Sequence, residues 1–142
     1  MWRDRYITKV FQKDEIIIKQ GDPGKEMFII KSGSVDVIKR HDDQEIVLAT
    51  LRRGDFFGEM AILEKSPRTA SVIARETTHL IVLNIGNFLI KIRRDPTFAF
   101  NLMRKMSSRI RLLNERILRR TDTYEQDRFE IDFEVTKSEY VE

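Results

Sequence analysis

The residues best suited to chemistry lie in two short stretches, Gly54-Asp55-Phe56-Phe57-Gly58-Glu59-Met60-Ala61-Ile62-Leu63 and Pro67-Arg68-Thr69-Ala70-Ser71. Gly58 permits a turn in which consecutive backbone N–H groups point the same way. Residues 59–63 can then close one helical turn, whose first N–H groups and dipole favour an anion. Arg68 brings a planar cation able to hold two phosphate oxygens at once. Thr69 adds a hydroxyl, and the small Ala70 lets the backbone approach a ligand closely. Glu59 is the odd member, because an acid sits badly in an anion site. It becomes useful when the same ligand also presents hydroxyl donors, as a ribose phosphate does.

Other chemistries find less support. The 142-residue chain has no cysteine, which removes disulfides, thiolate nucleophiles and thiolate metal ligands. Its two histidines, His41 and His79, lie 38 residues apart in dissimilar settings and do not form the cluster that a metal-dependent jelly-roll enzyme needs. No serine–histidine arrangement suggests a nucleophile. The expectation is therefore no catalytic residue, no metal and no cofactor.

The elements that must position these stretches follow from periodicity. The first eleven residues, with Trp2, Tyr6, Ile7, Val10 and Phe11 at mixed spacings, predict a short amphipathic helix. From Glu15 to Leu83, short runs rich in Ile, Val and Phe alternate with turn residues. Strands are expected at 16–18, 27–30, 35–38, 46–48, 71–74 and 80–83, with turns at Gly21-Asp22-Pro23-Gly24, Ser32-Gly33, His41-Asp42-Asp43 and Arg52-Arg53-Gly54-Asp55. Many short strands with regular turns predict a mainly β fold with flanking helices, closed as a jelly roll or double-stranded β-helix.

Beyond Leu83 the period turns helical. Gly86 is expected to precede a short helix through Phe88, Leu89 and Ile92. Asp95-Pro96 then starts a long one, with Asp95 as N-cap and Pro96 at the first helical position. Along it Ala99, Met103, Met106, Ile110, Leu113 and Ile117 form an unbroken seam at spacings of four and three. The seam fits either packing on the chain's own sheet or dimerisation. The bases of this helix (Arg104, Lys105, Arg109, Arg111, Arg116, Arg119, Arg120) read as a solvated face.

The net charge of +3 divides unevenly: residues 121–142 carry eight acids and two bases, −6, which leaves +9 on the first 120. Within this acidic tail, residues 129–135 alternate apolar and acidic, the pattern of a half-buried strand or of a solvated terminus. The organisation expected is one domain over 1–120, its final helix at about 95–120 serving as hinge and dimerisation element, with 121–142 as a tail. No apolar run approaches the roughly 20 residues of a membrane span, and the N-terminus lacks the apolar core of a signal peptide. A cytoplasmic location with no membrane partner is the expectation.

Phe57-Gly58-Glu59-Met60-Ala61 and Pro67-Arg68-Thr69-Ala70-Ser71-Val72 resemble the phosphate-binding cassette of cyclic-nucleotide-binding domains. That family includes the bacterial catabolite activator protein, protein kinase A regulatory subunits and cyclic-nucleotide-gated channels. Gly21-Asp22-Pro23-Gly24, Met27-Phe28-Ile29-Ile30 and Gly33-Ser34-Val35 are similar to the first turns of the family's β roll, and the resemblance runs from about Tyr6 to Leu118. It implies that Glu59 accepts from the ribose 2′-hydroxyl and that Arg68 pairs with the cyclic phosphate. Backbone N–H groups of Gly58, Met60, Ala61 and Ala70 would assist. Thr69 would contact the phosphate and could also reach a guanine amino group. Val47, Leu48 or Ile73 would line the base pocket, and Asn114 falls near the positions that contact the base in the bacterial activators.

The resemblance implies a receptor for cAMP, with cGMP left open by Thr69, that signals by repositioning its last helix toward an unidentified protein effector. Two other readings are a dimerisation adaptor with a vestigial pocket and the ligand-sensing part of a transcription regulator without its DNA-binding domain. The residues after Arg120 have the wrong charge and period for reading DNA, so direct DNA binding is not expected.

Overall fold

The computed structural model of the chain describes residues 6–120. Eight strands come first: β1 (Ile7–Phe11), β2 (Ile16–Ile18), β3 (Glu26–Ser32), β4 (Ser34–His41), β5 (Gln44–Arg52), β6 (Phe56–Phe57), β7 (Ser71–Ala74) and β8 (Thr78–Asn84), with α1 (Glu59–Leu63) between β6 and β7. Two helices follow, α2 (Ile85–Arg94) and α3 (Pro96–Arg120). The strands form two antiparallel sheets of four, ordered β1-β8-β3-β6 and β2-β7-β4-β5.

One apolar cluster joins the sheets. Phe28, Ile30, Phe57, Leu80 and Val82 come from the first, and Ile18, Val35 and Val72 from the second. The alternation of strand side chains explains the membership, since Phe28 and Ile30, like Leu80 and Val82, are two residues apart and share a face. The mainly β fold with a long final helix, expected from the sequence, is the one the chain adopts.

The expected N-terminal helix is not found. Residues 7–11 are β1, paired in register with β8 from Ile7↔Val82 to Phe11↔Thr78. The edge of β8 offers their backbone groups a ladder, and Ile7, Thr8 and Val10 are β-branched and suit it. Ile7 and Val10 stay exposed, so the spacing of apolar residues here did not report burial. Trp2 lies outside the described residues. β6, a two-residue strand, was also not anticipated.

Between β4 and β5 the turn expected at His41-Asp42-Asp43 is a tight hairpin. Asp42 and Asp43 both have positive φ, 50° and 62°, a handedness that matches the twist of the flanking strands. α2 begins two residues earlier than expected, with Gly86 inside it: the Asn84 side chain accepts from the Asn87 N–H at 2.8 Å and caps the helix. α3 begins at Pro96 as its sequence suggested.

The described chain divides between Asp95 and Pro96 into two compact units, the β roll with α2 and the unit that begins with α3. On α3, the seam residues Met103, Ile110, Leu113 and Ile117 are exposed. The acidic stretch 121–142 and the strand expected at 129–135 lie outside the described residues.

Candidate functional site

β6 carries the chain to Gly58, which adopts φ 80°, ψ 8°, the left-handed conformation that glycine takes without strain. α1 starts at the next residue, and its buried Ala61 and Ile62 anchor it to the roll. The chain returns through Pro67 to Arg68, whose backbone is tied on both sides to the turn after β2. The Arg68 N–H donates to the Asp22 carbonyl at 2.9 Å, and the Gly21 N–H donates to the Arg68 carbonyl at 2.8 Å.

The side chain of Arg68 reaches across to the first sheet. Its Nη1 donates to the Gly58 carbonyl at 3.0 Å and its Nη2 to the Glu26 carbonyl at 2.8 Å. The guanidinium carbon lies 6.0 Å from the centre of the Phe28 ring, which is stacked on Phe57 with centroids 5.1 Å apart. Two glycines leave the space it occupies. A Cβ on Gly24 would overlap the guanidinium, and one on Gly58 would come within 2.8 Å of Nη1.

Burial lowers the pKa of Arg68 from its ordinary value, and the charges of Glu26 and Glu59 work against that shift. The guanidinium nonetheless stays charged over any accessible pH. Glu59 directly follows Gly58, whose carbonyl the guanidinium holds, so the acid and the base of the expected site lie in one locality. The result is a half-buried cation whose plane is fixed by two carbonyls, with part of its donor fork left for an oxyanion, next to the start of a helical turn and a carboxylate.

Gly58, Glu59 and Arg68 are thus brought together. Met60 is exposed and Ala61 buried on α1, while Thr69 is exposed and Ala70 half-buried directly after Arg68. Asn114 lies on α3, in the other unit.

Of the residues expected against a base, Val47 and Leu48 are exposed on β5. Val37 pairs with Ala49 and Ile38 with Val47, which leaves Leu48 as the extra residue of a β-bulge. Ile73 is half-buried on β7. It alternates with the buried Val72 and Ala74 and is paired with the exposed Ile16, so it faces away from the core. Phe28, the Glu26 carbonyl, Gly24 and the Gly21-Asp22 backbone are members that sequence reasoning missed. The turn Gly21-Asp22-Pro23-Gly24 and the run Met27-Phe28-Ile29-Ile30 signalled the roll but not a part in holding Arg68. Among the described residues no cluster of acids and histidines could hold a metal ion, and no helix is long and apolar enough to cross a membrane.

Residues 8–95 match the family described as the cyclic nucleotide-binding domain. The chain is 36% identical over 104 residues to the Cyclic AMP receptor protein of Thermus thermophilus, covering 72% of this chain and 48% of that protein. It is 33% identical over 85 residues to the cAMP-dependent protein kinase regulatory subunit of Pyricularia oryzae, covering 60% of this chain and 21% of the relative. It therefore spans about half or less of the length of these curated relatives. The crystal structure of the Thermus thermophilus Catabolite Activator Protein superposes with a TM-score of 0.71 at 34% identity, over 79% of this chain and 53% of that one. A fold of two antiparallel sheets with a long helix, a glycine-turned helix start facing an arginine, and these matches lead to one conclusion: the chain belongs to the cyclic nucleotide-binding domain family.

Proposed function

We propose that this chain is a receptor module for a 3′,5′-cyclic nucleotide, cAMP in the first instance and cGMP as the alternative that Thr69 allows. The observation that carries the reading is the placement of Arg68. Its guanidinium is fixed by the carbonyls of Gly58 and Glu26, beside the first turn of α1 and within the electrostatic reach of Glu59. A cyclic phosphate meets the arginine and the backbone N–H groups of Gly58, Met60, Ala61 and Ala70, while Glu59 accepts from the ribose 2′-hydroxyl. cAMP takes precedence because the two relatives compared are named for cyclic AMP receptor and cAMP-dependent kinase regulation.

The output of such a module is conformational and breaks no bond. Ligand binding repositions α3, and by reciprocity whatever holds α3 changes the affinity for ligand. The exposed seam of Met103, Ile110, Leu113 and Ile117 supports self-association of α3 into a homodimer, and Asn114 on the same helix would approach the base. A cytoplasmic location and an unidentified protein effector complete the reading.

The experiment is a thermal melt with and without excess cAMP or cGMP. A ligand at about 100 times its dissociation constant adds roughly 2.7 kcal/mol, a rise of about 5–10 °C for a domain of this size. A rise with one nucleotide names the ligand. No rise with either, in folded and nucleotide-free protein, overturns the receptor reading in favour of a dimerisation scaffold with a vestigial pocket.

A further inference from the structure

β4 and β7 pair in a steady antiparallel register: Val35↔Ala74, Asp36↔Ile73, Val37↔Val72 and Ile38↔Ser71. Continued by two residues, that register would put Thr69 opposite Arg40. β7 instead begins at Ser71, whereas β4 runs on to His41. Main-chain groups at such a position seek partners, and a strand that overhangs its neighbour invites the neighbour to extend.

Here the partner is a side chain. The Arg40 N–H donates to Gln20 Oε1 at 2.8 Å, and Gln20 Nε2 donates to the Arg40 carbonyl at 3.2 Å. One primary amide, with a donor and an acceptor side by side, thereby supplies both hydrogen bonds of an antiparallel residue pair. Gln20 is itself held at the start of β7, its N–H donating to Ser71 Oγ at 2.9 Å. The next two residues, Gly21 and Asp22, are those that bracket the Arg68 backbone. Residues 20–22 thus occupy Arg40 with a side chain and Arg68 with main chain, and the segment 68–70 is diverted from the sheet where Arg68 is aimed at Gly58 and Glu26.

We propose that Gln20 is a positioning residue for the phosphate site: its amide stands in for the strand that Thr69 would otherwise extend along β4, and so keeps residues 68–70 available to a ligand. Its side chain touches no ligand. Asparagine would be one methylene too short to reach Arg40 from the same backbone position, and glutamate would keep the acceptor for the Arg40 N–H while losing the donor to its carbonyl. The effect on affinity rests on the cyclic-nucleotide reading above, whereas the effect on residues 68–70 does not.

The test uses the full chain with Gln20→Ala and Gln20→Glu. Amide resonances of the ligand-free protein are recorded by heteronuclear NMR, and the dissociation constant of the nucleotide that the parent binds is measured by calorimetry. In Gln20→Ala the Thr69 and Ala70 amides are expected to shift, and the affinity to fall about tenfold, the order of one well-placed hydrogen bond. The unfolding midpoint is expected to stay within about 3 °C of the parent, since the amide's bonds are exposed ones. Gln20→Glu should fall between parent and alanine on both readouts, which a residue that merely stabilised the fold would not produce. Unmoved Thr69 and Ala70 amides overturn the proposal, as does a loss of melting temperature without a change at those residues, or an unchanged affinity where the parent binds. If the parent binds neither cAMP nor cGMP, the receptor reading fails, and the amide shifts at Thr69 and Ala70 still decide the role of Gln20.

Discussion

Replacing Gly24 with alanine separates how Arg68 is held from how the roll is held. Gly24 does not have a left-handed backbone, and the three atoms nearest an added Cβ would be Nε, Cζ and Nη2 of Arg68, the far end of a flexible side chain. The fold can accommodate the methyl by swinging the guanidinium away, which breaks the bonds to Gly58 and Glu26 at 3.0 and 2.8 Å. Because the displaced cation regains water, the loss of stability should be about 1 kcal/mol, a fall of about 3–5 °C in Tm. Binding is affected far more. Losing a charge-assisted fork to phosphate removes about 3 kcal/mol, or roughly a hundredfold in Kd. Gly21→Ala is the complementary control. Its Cβ meets nothing within 4 Å, but its φ is +89°, so it should lose about 1–2 kcal/mol of stability from backbone strain with a much smaller change in affinity. Calorimetric titration with cyclic nucleotide and thermal melts of both variants give the comparison. A folded Gly24→Ala protein that binds within about threefold of the parent, against the hundredfold expected, refutes the argument that this gap positions the arginine.

Arg68→Ala should abolish measurable binding at micromolar nucleotide, and Arg68→Lys should not restore it, because an ammonium cannot reproduce the planar fork; competition with a fluorescent nucleotide reads both. Glu59→Ala should cost less affinity than Arg68→Ala and should narrow the preference for a ribose over a 2′-deoxyribose ligand, measured as the ratio of the two Kd values. Leu113→Asp, at an exposed seam position of α3, should convert a dimer into a monomer in sedimentation equilibrium, and a parent that already sediments as a monomer refutes the dimer.

The sequence made the strands legible where burial alternates, as at Phe28 and Ile30 or Leu80 and Val82, because there the side-chain period is imposed by one core. It misled at residues 7–11, where pairing with β8 decides the structure and the apolar Ile7 and Val10 remain exposed. The cassette was legible as a set of residue types, since Gly58, Glu59 and Arg68 each have a local physical reason. What holds it was not. Main-chain carbonyls of Gly58 and Glu26, which fix the arginine, have no signature in residue identity, because every residue has a carbonyl. Ile73 shows the converse limit: its type is apolar, yet strand alternation turns it away from the core that Val72 and Ala74 enter.

The aromatic pair beneath Arg68 belongs to the folding core, with Phe28 and Phe57 both in the cluster that joins the two sheets. The floor beneath the guanidinium and the interior of the protein are therefore the same atoms. Any change that remodels this floor also disturbs the core, whereas Glu59, Thr69 and the glycine gaps lie outside that cluster and can vary without repacking it. Under the proposed function, a descendant freed from its ligand would keep both phenylalanines for the core they build and drift first at the Gly24 gap and the arginine that fills it.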